Sequence, residues 1–432
     1  MAKLKAMWRK LLPVTAAAAI AGAAAGQVLP PLGAPQLPVG PVVGQAAGTL
    51  GAVERTVGET RLVDLRAVRL RALIRANPKT IDVDEAGAPV VRGELVAISP
   101  SAQTLEAARS AGFTVARDST LEGLDLRVVV LTAPEGISTR RALKRLRAAD
   151  PGGRFEFNHL YSDAGAAGPG EAGAVSNVAE AASARLGLID SGVDQNHPTF
   201  AQARVEQQGF APGGLTVGPH GTAVASLMVG AGGGVQGAAP GAGLSVADVY
   251  GKGPTGGSAE AIARAMAWLA GRRTPVINIS LVGPADLTLE AAVKAVIARG
   301  YLVVAAVGND GPAAPPLYPA SYPGVIAVTP VDGRGKVLPE AGRATHVDFA
   351  APGAGVRAAR PGGGVTAVRG ASFAAPIVAA RLALLLKTPD PAAAARAVAT
   401  LAGQARDAGA PGPDRVYGKG VVGADMALAA KR

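Results

Sequence analysis

LGLIDSGVD, residues 186–194, is a run of apolar residues that stops on a carboxylate and turns at once through Ser191 and Gly192. An apolar segment of this kind reads as a strand buried on both faces, the sort that parallel sheets use. Asp190 then lies at the carboxyl end of that strand, where open α/β sheets gather their reactive groups. Two later strings are as abrupt. GPHGTAVASLM (218–228) sets His220 between glycines at the mouth of an alanine-rich helix, and GASFAAPIVAA (370–380) sets Ser372 at the start of a long apolar one.

From residue 184 onward, strand and helix patterns alternate. Strands are expected over 184–189, 276–281, 301–307, 325–329 and 347–350. Helices are expected after Ser258, with Ile262, Met266 and Leu269 on one stripe, over 289–299 up to Gly300, and from Ser372 to about residue 387. This alternation predicts a three-layer α/β domain in which a parallel sheet is covered on both faces. Asn309, in VVAAVGNDGP (303–312), stands at a strand end as Asp190 does.

Ser372, His220 and Asp190 are the residue types that hydrolyse an acyl bond through serine: a hydroxyl nucleophile, an imidazole to take its proton, and a carboxylate to hold the imidazole. A serine at a helix start is ordinarily a cap. Here Gly370 permits a tight turn that exposes the hydroxyl, and the helix dipole favours negative charge developing beside it. Pro376 is read as lying in the first helical turn, where proline is tolerated. Of the other histidines, His159 lies in the amino-terminal half, His197 is read as packing in its loop before Pro198, and His346 has no role assigned. Asp194 and Asp248 are rival carboxylates, but neither is expected to end a strand directly. Asparagine in Asn-Asp-Gly is usually a turn residue, yet the Asn309 amide can also aim N–H donors at an oxyanion.

The order Asp, His, Ser is that of subtilisin-like proteases. With H-G-T-x-V-A at 220–225, the serine string, and the closing YGKGVVGADMA (417–427), the chain resembles the subtilisin family of serine endopeptidases over residues 184–428. The resemblance implies a Ser-His-Asp triad of Asp190, His220 and Ser372, with Asn309 as an oxyanion donor. It further implies that Ser280, Leu281, Val282 and Gly283 pair with the substrate backbone and wall the pocket for the residue before the scissile bond. Ala306, Val307 and Gly308 form the opposite wall, and the substrates are proteins or peptides. No cofactor is required for this chemistry and no metal is assigned; calcium often stabilises family members, but no ligand set stands out. Two positions depart from the family. Ala371 replaces the usual threonine and removes a hydroxyl that supports the oxyanion. Val282 replaces a glycine and narrows the subsite, which argues against large aromatic residues there.

Ahead of these motifs the pattern is β-α-β-β-α-β, with strands at 94–98, 113–116, 124–131 and 154–158 and helices at 103–111 and 139–148. That order builds a small α+β ferredoxin-like sandwich, and subtilisin propeptides look similar. The implied organisation is a self-processing zymogen whose own propeptide is a partner. Residues 54–163 assist folding and block the cleft, 164–175 form an exposed cleavable linker, and 176–432 form the peptidase domain. Lys3, Lys5, Arg9 and Lys10 precede an apolar run to about residue 25 with small-residue exits, the pattern of a signal peptide over 1–27. A Pro/Gly/Ala-rich tether follows over 28–53. The product is expected to be secreted or periplasmic, meeting a membrane only transiently during export.

With 49% hydrophobic and 17% charged residues among 432, the chain reads as globular. The net charge of +11 is carried largely by arginine-rich stretches at 61–75 and 140–147, where leucines recur at helical spacing. These read as wet faces of amphipathic helices, and the lack of interleaved aromatics to stack bases argues against nucleic acid as a partner, so none is expected. The absence of cysteine excludes disulfides, thiolate zinc sites and a cysteine nucleophile. An esterase of α/β-hydrolase type needs its histidine after the serine, and none follows Ser372. The second reading is a catalytically weak or dead subtilase fold acting as a binding or inhibitory scaffold, which fluorophosphonate labelling of Ser372 distinguishes.

Overall fold

The computed structural model describes residues 62–164, 166–167 and 181–426. The expected signal peptide and tether lie outside the described residues, as does most of the 164–175 linker.

The amino-terminal unit begins with α1 (Leu62–Ala76) and a hairpin of β1 (Ile81–Val83) with the start of β2 (Pro89–Ile98). Then follow α2 (Ala102–Ser110), β3 (Thr114–Leu121), β4 (Leu126–Thr132), α3 (Thr139–Ala149) and β5 (Phe155–His159). β3, β4, β2 and β5 lie side by side in that order, each neighbour antiparallel, which is the expected ferredoxin-like arrangement with β1 added. Ser101 and Ser138 start α2 and α3 by accepting the N–H groups of Thr104 and Arg141. Ala142, Leu143 and Leu146 of α3 bury against Leu95, Val129, Leu131, Phe155 and Phe157, leaving Arg140, Arg141 and Lys144 exposed as expected.

α1 follows that expectation at Arg71 and Arg75, which are exposed, but not at Arg66. Arg66 is only 19% exposed, pairs with Asp310 at 3.1 Å, and also reaches the Val282 carbonyl. Arg66 turns toward the second unit, where the Asp310 carboxylate accepts a charge-assisted hydrogen bond from its guanidinium.

Chain segments β6 (Ser162–Asp163) and β7 (Ala166–Ala167) connect to the larger unit. That unit contains β8 (Arg185–Asp190), β9 (Val205–Gly209), α4 (Pro219–Val229), a hairpin of β10 (Ala231–Gly232) and β11 (Val235–Gln236), β12 (Gly243–Asp248), α5 (Ala259–Gly271), β13 (Val276–Ile279) and β14 (Leu281–Val282). It continues through α6 (Leu287–Ala298), β15 (Leu302–Ala306), β16 (Ile326–Val331), β17 (Phe349–Pro352), β18 (Ala354–Ala359), β19 (Val365–Arg369), α7 (Ala371–Leu385) and α8 (Pro391–Gln404). Seven strands form the sheet in the order β17-β16-β15-β13-β8-β12-β9, every pair parallel. Packed helix pairs, α4 with α7 and α5 with α6, cover it and give the three layers.

Two expectations are corrected. The strand read over 276–281 breaks at Ser280, and β14 leaves the sheet to pair with β6. Asp248 does end a strand, in register with Asp190. What separates the two carboxylates is their partners: Asp248 accepts the N–H groups of Thr216, Tyr250 and Gly251, while Asp190 faces an imidazole.

Candidate active site

Asp190 is fully buried at the end of β8. It accepts the Ser191 N–H at 2.8 Å, and His220 Nδ1 donates to it at 2.9 Å from each carboxylate oxygen. The glycines around His220 are sterically required, because a Cβ at Gly218 or Gly221 would collide with Ser191. Burial opposes charge on the ring, but the charge and hydrogen bond of Asp190, with Asp163 adding to them, lift the His220 pKa to about 9.

Ser372 follows Gly370, whose φ of 128° is a glycine conformation, at the start of α7. Pro376 is the sixth residue of that helix and not part of its first turn. Lacking an N–H, it leaves the Ser372 carbonyl without the usual helical partner. Ser280 Oγ donates to that carbonyl at 3.0 Å and itself accepts from Asn278 Nδ2 at 2.9 Å. The vacancy in the helix ladder is thus what couples the break after β13 to the serine.

Ser372 Oγ donates to the Ser280 carbonyl at 3.0 Å and accepts the Ala164 N–H at 2.9 Å. His220 Nε2 is buried without a protein hydrogen bond. The Ala164 carbonyl accepts from the Ser372 N–H at 3.2 Å and from Asn309 Nδ2. Asn309 Oδ1 in turn accepts the Ala371 N–H at 2.9 Å, so the backbone of Ala371 orients the amide although its side chain has no hydroxyl.

The segment before Ala164 lies in the cleft as an extended strand. Asp163 pairs with Leu281, Ser162 with Val282, and the Tyr161 N–H donates to the Gly257 carbonyl. After it, β7 pairs with Val368 and Arg369 of β19. The linker read as exposed therefore begins inside the cleft, where backbone ladders on both sides compensate for the water it gives up. A Cβ on Gly308 would lie 3.7 Å from Val282 Cγ1 and 2.7 Å from Leu317 Cδ1. Gly308 and Val282 are thus close neighbours.

Tyr161 is buried, donates from its hydroxyl to the Pro284 carbonyl at 2.7 Å, and lies flush on Gly283. A Cβ on Gly283 would come within 2.5–2.8 Å of three atoms of that ring. Gly283→Ala should therefore lower the melting temperature of the uncleaved chain, by an overpacking cost of about 1–3 kcal/mol. An unchanged melting temperature would mean that the ring is not held there.

Sequence reasoning missed a buried polar contact between the units. His159, 4% exposed, binds Asp286 Oδ2 through Nδ1 at 2.9 Å and Asp84 Oδ2 through Nε2 at 3.2 Å. The partners lie 127 and 75 residues away in sequence, so no local pattern marks them. Burial lowers the pKa of the ring, but Asp286 and Asp84, with Glu156 nearby, overcome this and raise it to about 9. A raised pKa means stability fully present below the unfolded value of 6.5 and lost as pH climbs through about 9. Comparing melting of the uncleaved chain with His159→Gln should show an advantage on the order of 3 kcal/mol at pH 6 that shrinks by pH 10. A pH-independent difference would remove the charge from this contact.

The remaining histidines are structural. His197 accepts the Thr199 N–H and binds the Gly364 carbonyl at 2.8 Å, packing in its loop as expected, and His346 binds the Val325 carbonyl. Among the described residues, no cluster of three His, Cys, Asp or Glu side chains is arranged to hold a metal.

Residues 182–420 match the Subtilase family of peptidases. The chain is 31% identical over 215 residues to the major intracellular serine protease of Bacillus subtilis (strain 168), an overlap covering 46% of this chain and 67% of that protein. It is 31% identical over 216 residues to thermitase of Thermoactinomyces vulgaris, covering 48% and 77% respectively. Among solved structures it is similar to fervidolysin from Fervidobacterium pennivorans, a keratinolytic enzyme related to subtilisin. That likeness has a TM-score of 0.68 and 21% identity, over 81% of this chain and 62% of the other.

Proposed function

Because the chain belongs to the subtilase family and is a subtilisin-like serine endopeptidase, we propose that it is a zymogen that cuts itself between Ala164 and Gly165. The observation carrying this reading is the Ala164 carbonyl, bound by the Ser372 N–H and the Asn309 amide with Ser372 Oγ on the same residue. In the reaction His220 takes the proton of Ser372, whose oxygen attacks that carbonyl. Asn309 and the Ser372 N–H hold the oxyanion, and His220 protonates the leaving amine of Gly165 before water releases the acyl group. Asp190 keeps Nδ1 protonated and stabilises the imidazolium without itself becoming neutral.

The resting state is held back. Ser372 donates its proton to the Ser280 carbonyl instead of to Nε2, and Asp190, with a smaller part from Asp163, favours a charged His220 that cannot act as base. Residues up to 164 then remain as an inhibitor, fixed by β6, by His159 and by Arg66 on Asp310. The basic head and apolar run of residues 3–25 support export, with protein or peptide substrates met outside the cytoplasm.

The test is the mass and amino-terminal sequence of the purified chain after incubation. A new amino terminus at Gly165 is expected. A cut at another bond, or none, overturns the assignment, and failure of Ser372 to react with a fluorophosphonate would favour the scaffold reading.

A further inference from the structure

We propose that Asp286 is a recognition site for a cationic side chain five residues upstream of the residue whose carbonyl is attacked, so that the released enzyme prefers protein segments with Lys, Arg or protonated His at that position. The inference rests on the reading that residues 159–164 occupy the cleft as a substrate does.

Asp286 divides its carboxylate between two tasks. Oδ1 accepts the N–H groups of Thr288 and Leu289, at 2.8 and 3.0 Å, and so caps α6. Oδ2 is turned to the His159 ring at 2.9 Å, and the Asp286 side chain has no exposed surface. Its backbone is fixed as well, since the Asp286 N–H donates to Tyr322 Oη and that hydroxyl donates to the Asp286 carbonyl. The carboxylate is thus held in one orientation, with Oδ2 presented where the His159 ring lies.

The register specifies which substrate residue arrives there. Ala164 is at the serine, Asp163 and Ser162 pair with β14, the Tyr161 N–H bonds Gly257, and Leu160 bridges Ser258. His159 comes next in the same extended run, so a peptide threaded in that register brings its corresponding residue to Asp286. Once the amino-terminal unit departs, His159 and Asp84 depart with it and Oδ2 is left without its ring partner. A basic side chain arriving in that register replaces the lost contact by a charge-assisted hydrogen bond.

The experiment uses the self-processed enzyme and peptides built on the sequence of residues 159–168, with Lys, Arg, Gln or Glu in the place of His159. Lys and Arg peptides are expected to show kcat/KM about tenfold above the Gln peptide, chiefly through KM, and the Glu peptide to fall below it. Asp286→Asn keeps an oxygen for the α6 cap and should bring the Lys-to-Gln ratio to about one. If that variant does not fold, raising salt on the unaltered enzyme should shrink the ratio. Equal cleavage of all four peptides by the unaltered enzyme overturns the proposal. Cleavage of the Gln peptide that disappears when the processed enzyme is treated with a fluorophosphonate leaves the active-site reading standing in that case; no fluorophosphonate-sensitive cleavage of any peptide defeats that reading instead.

Discussion

Ser372→Ala is expected to leave the chain whole on prolonged incubation and to lower kcat about 10⁶-fold, a size borrowed from subtilisin, where loss of the serine costs nearly as much as loss of the whole triad. The substitution should not disturb the fold. Ser372 makes no side-chain cap on α7, and among the described residues its hydroxyl hydrogen-bonds only with the Ala164 N–H and the Ser280 carbonyl, both in the cleft. The Ala164 N–H keeps a second acceptor in the Ser280 carbonyl at 3.3 Å. Intact mass and melting temperature, read together, separate a dead enzyme from an unfolded one. A Ser372→Ala chain that still ends up cut after Ala164, in the absence of any other protease, would remove the serine from its proposed role.

Asn309→Ala should slow turnover by roughly 10²–10³-fold with little change in KM, again by analogy with the corresponding loss in subtilisin. The reason is differential binding: a donor aimed at an oxygen gains most when that oxygen carries charge. Asn309 is held for this by the Ala371 N–H on its other side, whereas the remaining donor, the Ser372 N–H, is 3.2 Å from the Ala164 carbonyl. Asn309→Asp should be no better than alanine, since it replaces the N–H donor with a second acceptor facing a developing anion. Unchanged kcat in both variants would assign Asn309 to turn geometry alone, its ordinary use in Asn-Asp-Gly.

Much of the site is legible from local strings because each functional residue ends an element whose pattern is local. The apolar run before Asp190, the glycines around His220 and the glycine before Ser372 each report a backbone event within a few residues. The strand broken at Ser280 was not legible, since its two halves are both apolar and only the pairing partner of the second differs. The spacing of Pro376 from the serine is local, yet its consequence is a carbonyl satisfied from Ser280, 92 residues away.

The sequence by itself determined the parallel α/β domain, the small α+β unit before it, and the order of Asp190, His220, Ser372 and Asn309. These follow from hydrophobic period, turn residues and the chemistry of single side chains, all of which act over short spans of chain. Only the tertiary structure decided that Ala164 meets Ser372, that Arg66 turns from solvent to Asp310, and that His159 joins Asp84 to Asp286. Those contacts depend on how two separately patterned units dock. Charge pairing and backbone laddering between docked surfaces leave no periodicity in the chain that folds to make them.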